Sequence, residues 1–309
     1  MINLREWALP VYTIMMQVAA GGMLMLWVVY TLTARRHGKI TADRLSQNLV
    51  MVIFITIMIA MIGSHFHLSR PLYSLLAVRN VKTSWLSREI VFTIAFAVLV
   101  GVLWLLQHRQ AGSLKLHLVT GWGAVVMGFM TIWCMSCVYL LPAQIAWNSV
   151  ATPVAFFSAT FLLGGVAISA LLLMNLYLAT LRDAADPELD RHRFIVKRLL
   201  AAATVLAVGA ALVELGNYGF QIRSLADGDA AARASLDLLL GLYSVLFAIR
   251  LGLLSVGVVI LVGVVLWQHN AGLPLARLLM SVYVTFMLLL VGEVLGRFLF
   301  YAIHVRTGI

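Results

Sequence analysis

The chain has 309 residues, of which 62% are hydrophobic and 11% are charged, and its mean hydropathy is +0.99. An ordinary soluble domain has about 25% charged residues, so this composition excludes a water-soluble fold. The formal net charge of +10 would suggest nucleic-acid binding in a soluble protein. In a membrane protein it is explained by basic loops on one side of the bilayer, and we expect no nucleic-acid partner.

Eight stretches of the chain are long and apolar enough to cross a bilayer, which requires about 20 residues of helix. They are rich in Leu, Val, Ala and Met without strict alternation, which favours helices over an outer-membrane barrel. The predicted spans are 9–32, 45–66, 85–106, 116–141, 154–181, 194–215, 242–267 and 275–302. The sequence therefore predicts an all-α integral membrane protein with about eight transmembrane helices in a single polytopic domain, 1–309.

The first span is expected to be a retained helix, because the N-terminus lacks the basic region, short apolar core and small-residue cleavage site of a signal peptide. The two cysteines, Cys134 and Cys137, both fall in the fourth span. A disulfide scaffold or an iron-sulfur cluster held by this chain is therefore not expected. The spacing of the pair matches a redox motif, whereas packing of small side chains is the alternative in an apolar helix.

The distribution of basic residues predicts the orientation of the chain. If the N-terminus lies outside, twelve Lys and Arg residues fall in inner loops and eight in outer segments. The inner residues are Arg35, Arg36, Lys39, Arg44, Arg109, Lys115, Arg182, Arg191, Arg193, Lys197, Arg198 and Arg277. The outer residues are Arg5, Arg70, Arg79, Lys82, Arg88, Arg223, Arg233 and Arg306. The positive-inside rule then places both termini on the outer side of the membrane.

Half of the outer basic residues lie in one connector, between the second and third spans. They are Arg70, Arg79, Lys82 and Arg88. One interpretation is a solvated connector that also meets lipid phosphates. The other is a docking surface for an acidic partner, formed by Arg70, Arg79 and Lys82, or a site for a quinone headgroup.

A charged side chain at the bilayer centre costs roughly 2.5–3.5 kcal/mol on insertion scales, so embedded polar residues are candidates for function. Those in the predicted spans are Gln17, Glu89, Glu214, Arg250, Glu293 and Arg297. With the N-terminus outside, all of them lie in the outer half of the membrane, at the level of His65 and His67. The inner half is nearly free of ionisable groups, which argues against a pump or a secondary transporter.

Each embedded residue also has a structural interpretation. Glu293 and Arg297 are four residues apart and could neutralise each other on one helix. Glu214 and Arg250 could form a pair between two helices, and Gln17 could join helices by a hydrogen bond. These alternatives stay open from the sequence alone.

A b-type haem would need axial histidines that project into the bundle. The histidines outside the second span lie near span ends or in loops: His37, His108, His117, His192, His269 and His304. We therefore expect no haem and no metal site in this chain.

Several segments spread over the chain resemble the membrane anchor subunits of the dimethyl sulfoxide reductase family, the DmsC-like proteins. They are REWALPVYTIMMQVAAGG, HLSRPLYSLLAVRNVKTSWLSREI, TPVAFFSATFLLGG, VEL at Val213 to Leu215, and LLLVGEVLGRFLFYAIHVRTGI. The resemblance implies an eight-helix subunit without a cofactor of its own. It would anchor an iron-sulfur subunit and a catalytic molybdopterin subunit, and oxidise menaquinol in anaerobic respiration.

The resemblance also implies roles for particular residues. The family's quinol-site histidine matches His67, its acidic partner matches Glu89, and its arginine in the seventh span matches Arg250. The chain departs from the family around Cys134 to Tyr139, where the family has a basic residue in place of one cysteine. The remaining residues expected at the quinol site are His65, Arg70, Arg88, Gln17, Glu214, Glu293 and Arg297.

Quinol oxidation releases two protons, so the site needs a base within reach of the ring hydroxyls. His67 is the candidate base, Glu89 would orient it or carry the proton onward, and Arg70 or Arg88 would bind the second ring oxygen. Electrons would pass directly to the partner's iron-sulfur cluster, and this chain would not act on the terminal substrate.

Three alternatives remain from the sequence. The same anchor could reduce quinone, with electrons flowing in the opposite direction. It could be a purely structural anchor with the quinone site elsewhere. A small-solute transporter would show Gly- or Pro-interrupted spans and polar residues at mid-depth, whereas the chain has only six prolines.

Overall fold

The computed structural model describes residues 8–65, 78–183, 188–270 and 274–305. Eight of its helices are long and apolar enough to cross a membrane, and these ranges contain no strand. The prediction of an all-helical membrane protein with about eight spans is confirmed. The helices are α1 (Ala8–His37), α2 (Lys39–His65), α3 (Trp85–His108), α4 (Leu114–Val138), α5 (Ala151–Arg182), α6 (Glu188–Ala226), the short α7 (Ala230–Asp237), α8 (Ser244–Asn270) and α9 (Leu275–Ala302).

Local sequence signals explain where several helices begin and end. Gly38, with φ of +85°, makes the tight turn between α1 and α2, a conformation that favours glycine. Ser84 and Ser113 cap α3 and α4, since their hydroxyls accept hydrogen bonds at 3.3 Å from the Ser87 and Leu116 backbone N–H groups.

The segment between the sixth and seventh predicted spans is more helical than the sequence predicts. The sequence predicts a span of 194–215 and a long connector, whereas α6 runs from Glu188 to Ala226 and is followed by α7. Asp229 caps α7 by accepting a 2.9 Å hydrogen bond from the Ala232 N–H. Four of the eight residues of α7 are Ala, a strong helix former, so this segment is helical although it lies beyond the apolar stretch that hydropathy detects.

The two most buried spans, α1 and α5, cross in the middle of the bundle at a glycine contact. A Cβ atom added to Gly21 would overlap the Thr160 carbonyl, and one added to Gly164 would overlap the Gly21 backbone. Small residues permit such backbone contact, which is a common way for membrane helices to associate. The Trp27 ring of α1 packs against Gly121 of α4, where an added Cβ atom would overlap the ring. Glycine at this position therefore allows α1 and α4 to pack closely. These contacts fix the positions of α1, α4 and α5 relative to one another.

Because consecutive spans alternate in direction, the bundle has two distinct ends. We call the end at which α1, α3, α5 and α8 begin and α2, α4, α6 and α9 end the N-terminal end. The other is called the opposite end.

Candidate functional site

A buried ionic cluster lies towards the N-terminal end and consists of Glu214, Arg250 and Glu293. Arg250 Nη2 makes a short contact with Glu214 Oε1 and lies 3.4 Å from Glu293 Oε2. The three residues come from α6, α8 and α9, and each is at most 6% exposed. The pair between Glu214 and Arg250 that the sequence allows is thus present. Glu293 also contacts Arg250, and the described residues show no ion pair between Glu293 and Arg297, the alternative that their spacing on one helix allows.

Two neighbours complete the environment of Arg250. The Tyr218 hydroxyl donates a 3.3 Å hydrogen bond to Glu214, and the Arg250 guanidinium carbon lies 4.7 Å from the centre of the Tyr218 ring. On α9, a Cβ atom at Gly296 would overlap the guanidinium. Glycine at this position therefore leaves the space that Arg250 occupies.

Arg297 and Gln17 both contact Phe156 of α5. The Arg297 guanidinium carbon lies 3.6 Å from the centre of the Phe156 ring, a cation–π geometry. The Gln17 side chain donates a 2.8 Å hydrogen bond to the Phe156 carbonyl oxygen, which joins α1 to α5 as the interhelical interpretation of Gln17 predicts. The other side-chain oxygen of Gln17 is buried without a partner, so it remains able to accept a hydrogen bond.

A cluster of aromatic side chains lies at the N-terminal end of the bundle, next to Arg297. The hydroxyls of Tyr139 and Tyr301 lie 2.5 Å apart, and the Trp147 ring stacks on Phe300 with centroids 5.2 Å apart. Tyr139 lies close enough to Arg297 and to Glu89 for electrostatic interaction with both. It therefore connects the neighbourhood of the ionic cluster to that of Glu89.

Glu89 lies near the start of α3 and is 5% exposed. Its carboxyl group lies near the Tyr12 hydroxyl, which in turn lies 3.2 Å from the Thr93 hydroxyl. Cys134 is a further neighbour. Both cysteines are free and buried, which agrees with the packing interpretation of the pair. Glu89 is thus a buried acid with hydroxyl-bearing neighbours.

A small cavity of about 40 Å³ lies beside the ionic cluster. Its polar lining includes Thr152, Gln221, Arg250, Glu293 and Arg297. A polar cavity of this size has room for ordered water, whereas small-molecule sites occupy roughly 300–1,000 Å³. The ionic cluster therefore lies next to a water-sized cavity, which is too small for a quinol ring.

The remaining predicted site residues lie in the connector between α2 and α3 or in the helix turns next to it. His67 and Arg70 lie outside the described residues, as does the side chain of His65. Arg88 donates hydrogen bonds of 2.8 Å and 2.7 Å to the carbonyl oxygens of Val81 and Lys82. Its side chain therefore stabilises the loop that immediately precedes α3.

Arg79 and Lys82 are exposed at the N-terminal end of the bundle. The quinol-binding role expected for Arg88 and the docking role expected for Arg79 and Lys82 stay predictions.

A second polar cluster, at the opposite end, is not predicted by the sequence. Asp43 is completely buried, lies 3.0 Å from His117 Nδ1, and accepts a 3.0 Å hydrogen bond from Tyr30. His117 Nε2 is 2.7 Å from the Ala111 carbonyl oxygen, and Lys39 is 3.1 Å from the second Asp43 oxygen. The expectation that the inner half is nearly free of ionisable groups is wrong, because α2 begins at Lys39 and takes Asp43 into the bundle.

Eight apolar helices with a buried ionic cluster towards one end define a polytopic helical membrane protein. The family of DMSO reductase anchor subunits (DmsC) matches residues 1–303, and the chain belongs to this family. The resemblance seen in the sequence is confirmed.

Individual relatives support the same assignment over the full length. The C subunit of the anaerobic dimethyl sulfoxide reductase of Escherichia coli is 29% identical over 307 residues, covering 98% of this protein and 96% of the relative. The Haemophilus influenzae protein of the same name is 26% identical over 310 residues, covering 99% and 97%. The YnfH subunit of an anaerobic dimethyl sulfoxide reductase of Escherichia coli is 26% identical over 311 residues, covering 98% and 96%.

Proposed function

We propose that this chain anchors a molybdopterin oxidoreductase complex in the bacterial inner membrane and oxidises menaquinol at its N-terminal end. Membership of the anchor-subunit family supports the anchoring role. The observation that carries the quinol-oxidising role is the buried acid Glu89, which lies beside Tyr12 and directly after the connector that contains His67.

The proposed orientation places the N-terminal end on the periplasmic side. Basic residues concentrate at the opposite end, where α1 finishes with Arg35, Arg36 and His37, and where the first turns of α6 carry Arg191 and Arg193. Short basic segments next to spans stay on the cytoplasmic side. Both termini are then periplasmic, and protons from the quinol are released there.

Oxidation of a quinol to a quinone removes two electrons and two protons, so the site must accept protons from the ring hydroxyls. We infer that Glu89 accepts one of them, either directly or through His67, and returns it to periplasmic water. Its described neighbours Tyr12 and Thr93 are neutral and hydrogen-bonding, which suits a carboxyl group that alternates between charged and neutral forms.

The volume of the cavity beside the ionic cluster limits where the quinol ring can bind. Because that cavity has room for water only, we place the ring next to Glu89, against the connector of His67 and Arg70. The ionic cluster then holds α6, α8 and α9 together and keeps water nearby. The electrons pass to an iron-sulfur partner subunit docked over the exposed Arg79 and Lys82.

The test is the substitution Glu89→Gln in the intact complex. Turnover driven by menaquinol is measured beside turnover driven by an artificial electron donor that bypasses the membrane subunit. We expect quinol-driven turnover to fall by about 100-fold or more, the usual contribution of a general base, while donor-driven turnover is kept.

The matched control is Asp43→Asn, which removes a buried carboxylate of the same kind at the opposite end. It should leave the ratio of the two activities unchanged. Quinol-driven turnover of the Glu89 variant within about twofold of the wild type would end the proposal for Glu89. Equal loss of both activities in that variant would mark Glu89 as an assembly residue. His67→Ala, tested in the same way, separates a quinol site from a purely structural anchor.

A further inference from the structure

A groove of about 290 Å³ opens between α1 and α6 at the opposite end of the bundle. Its floor is apolar and includes Val28 and Leu32 of α1 and Ala202 of α6. Leu32 is 53% exposed and Val28 is 38% exposed, so the floor is open to the surroundings of the bundle. In a membrane, these surroundings are hydrocarbon.

The rim of the groove is basic and consists of Arg36, His37 and Arg198. All three side chains are exposed. The Arg198 guanidinium carbon lies 4.4 Å from the centre of the Phe194 ring, which also lines the groove. This cation–π contact holds the charge of Arg198 at the rim.

The basic rim lies where the apolar parts of both helices end. Arg36 is in the last turn of α1, after a long apolar stretch. In α6 the order is reversed, since a polar segment that contains Arg191, Arg193 and Lys197 precedes Arg198, and the apolar residues begin at Leu199. The rim is therefore at the level of lipid headgroups and the floor at the level of acyl chains.

We propose that this groove binds an anionic phospholipid, with its phosphate at Arg36, His37 and Arg198 and an acyl chain along the apolar floor. Two features select this ligand. The basic rim favours a headgroup with net negative charge over a zwitterionic one, as in basic pockets between membrane helices. The apolar floor continues below the phosphate level, where a free phosphate ion makes no favourable contact but an acyl chain does.

The test uses the purified, delipidated complex and native mass spectrometry. Dioleoyl phosphatidylglycerol and dioleoyl phosphatidylcholine are titrated separately, because they share acyl chains and differ in headgroup charge. We expect the wild-type complex to retain phosphatidylglycerol preferentially. The double variant Arg36→Gln/Arg198→Gln should lose affinity for it by about 100-fold, since each direct hydrogen bond between a charged side chain and the phosphate contributes roughly a tenfold factor.

The protein offers a closely matched control, Arg35→Gln/Lys197→Gln. These residues are exposed, adjacent in sequence to the rim residues on the same two helices, and carry the same charge. This control should change phosphatidylglycerol affinity less than about threefold, because these two side chains do not line the groove and act on the bound headgroup only through screened surface charge. A third variant, Ala202→Trp, fills the floor without altering charge and should also displace the lipid. Donor-driven turnover of each complex confirms its assembly.

Three results would overturn the proposal. One is equal retention of phosphatidylglycerol and phosphatidylcholine by the wild-type complex. Another is the same loss of affinity in the rim and control double variants. The third is unchanged binding in Ala202→Trp together with displacement of the lipid by millimolar inorganic phosphate, which would describe a simple anion site.

Discussion

Removal of Arg250 is expected to be among the most destabilising single substitutions in the protein. Its guanidinium is the cation between Glu214 and Glu293, whose side chains are 1% and 3% exposed. Arg250→Gln would leave two buried carboxylates facing each other without that cation. Breaking a buried ion pair by removing one partner costs roughly 3–5 kcal/mol, so we expect a loss of at least that size in the free energy of unfolding.

The assay is equilibrium unfolding of the purified protein by sodium dodecyl sulfate in mixed micelles, followed by circular dichroism. The triple variant Arg250→Gln/Glu214→Gln/Glu293→Gln removes every charge of the cluster and should regain most of the loss, because neutral amides can hydrogen-bond to one another. Arg223→Gln is the control. Arg223 forms an exposed ion pair with Asp227, so its substitution should cost less than about 1 kcal/mol.

The reasoning would be refuted by a loss below about 1 kcal/mol in Arg250→Gln, or by a triple variant no more stable than the single one. Either result would mean that the carboxyl groups tolerate burial without the arginine. The same variants carry information on the quinol reaction. If the ionic cluster is mainly structural, the triple variant should retain quinol-driven turnover in the assembled complex.

Two further predictions concern helix packing and the opposite end. Gly164→Ala should destabilise the protein by roughly 1–3 kcal/mol in the same assay, because its Cβ would overlap the Gly21 backbone. The control Gly209→Ala, where a Cβ meets nothing within 4 Å, should be neutral or stabilising. Equal effects of the two substitutions would disprove the close contact of α1 with α5. Tyr30→Phe removes the hydrogen bond to buried Asp43 and should cost roughly 1.5–3 kcal/mol, with no change in the ratio of quinol-driven to donor-driven turnover. A selective loss of quinol-driven turnover would contradict the assignment of this network to structure.

The number of spans could be predicted because a bilayer imposes a simple requirement of length and apolarity on each helix. Helix ends could not be predicted as well. Hydropathy is informative only inside the hydrocarbon, whereas α6 continues to Ala226 and is followed by the Ala-rich α7, both beyond the predicted span. There, helix propensity decides the structure, and a hydropathy window does not detect it.

The sequence predicts which residues form the ionic cluster better than it predicts which of them contact each other. Charged residues in membrane spans are rare because they are costly, so Glu214, Arg250 and Glu293 were identified by type and position alone. The contact between Glu293 and Arg250 depends on how α8 packs against α9. Gly296, where any side chain would displace the arginine, is a sequence signal for that contact, but it can be interpreted only once the partner is known.

The network at the opposite end was missed for a different reason. Asp43 stands in a polar stretch between Lys39 and Arg44, which is typical of a loop. It belongs to a helix that begins directly after Gly38, and the first turns of that helix bring Asp43 to His117. A polar segment next to a span can therefore be part of the packed bundle when a glycine turn replaces a loop.

The continuity of α6 relates the position of the ionic cluster to the thickness of the membrane. Arg198 and Glu214 stand on one helix, and at 1.5 Å of rise per residue their Cα atoms are about 24 Å apart along its axis. A hydrocarbon core is about 30 Å thick. With Arg198 at the headgroups of one leaflet, Glu214 lies only about 6 Å inside the boundary of the other, and a thicker bilayer would bury the ionic cluster deeper. Because an unpaired charge costs more at greater depth, the destabilisation caused by Arg250→Gln should grow in reconstituted vesicles as acyl chains are lengthened.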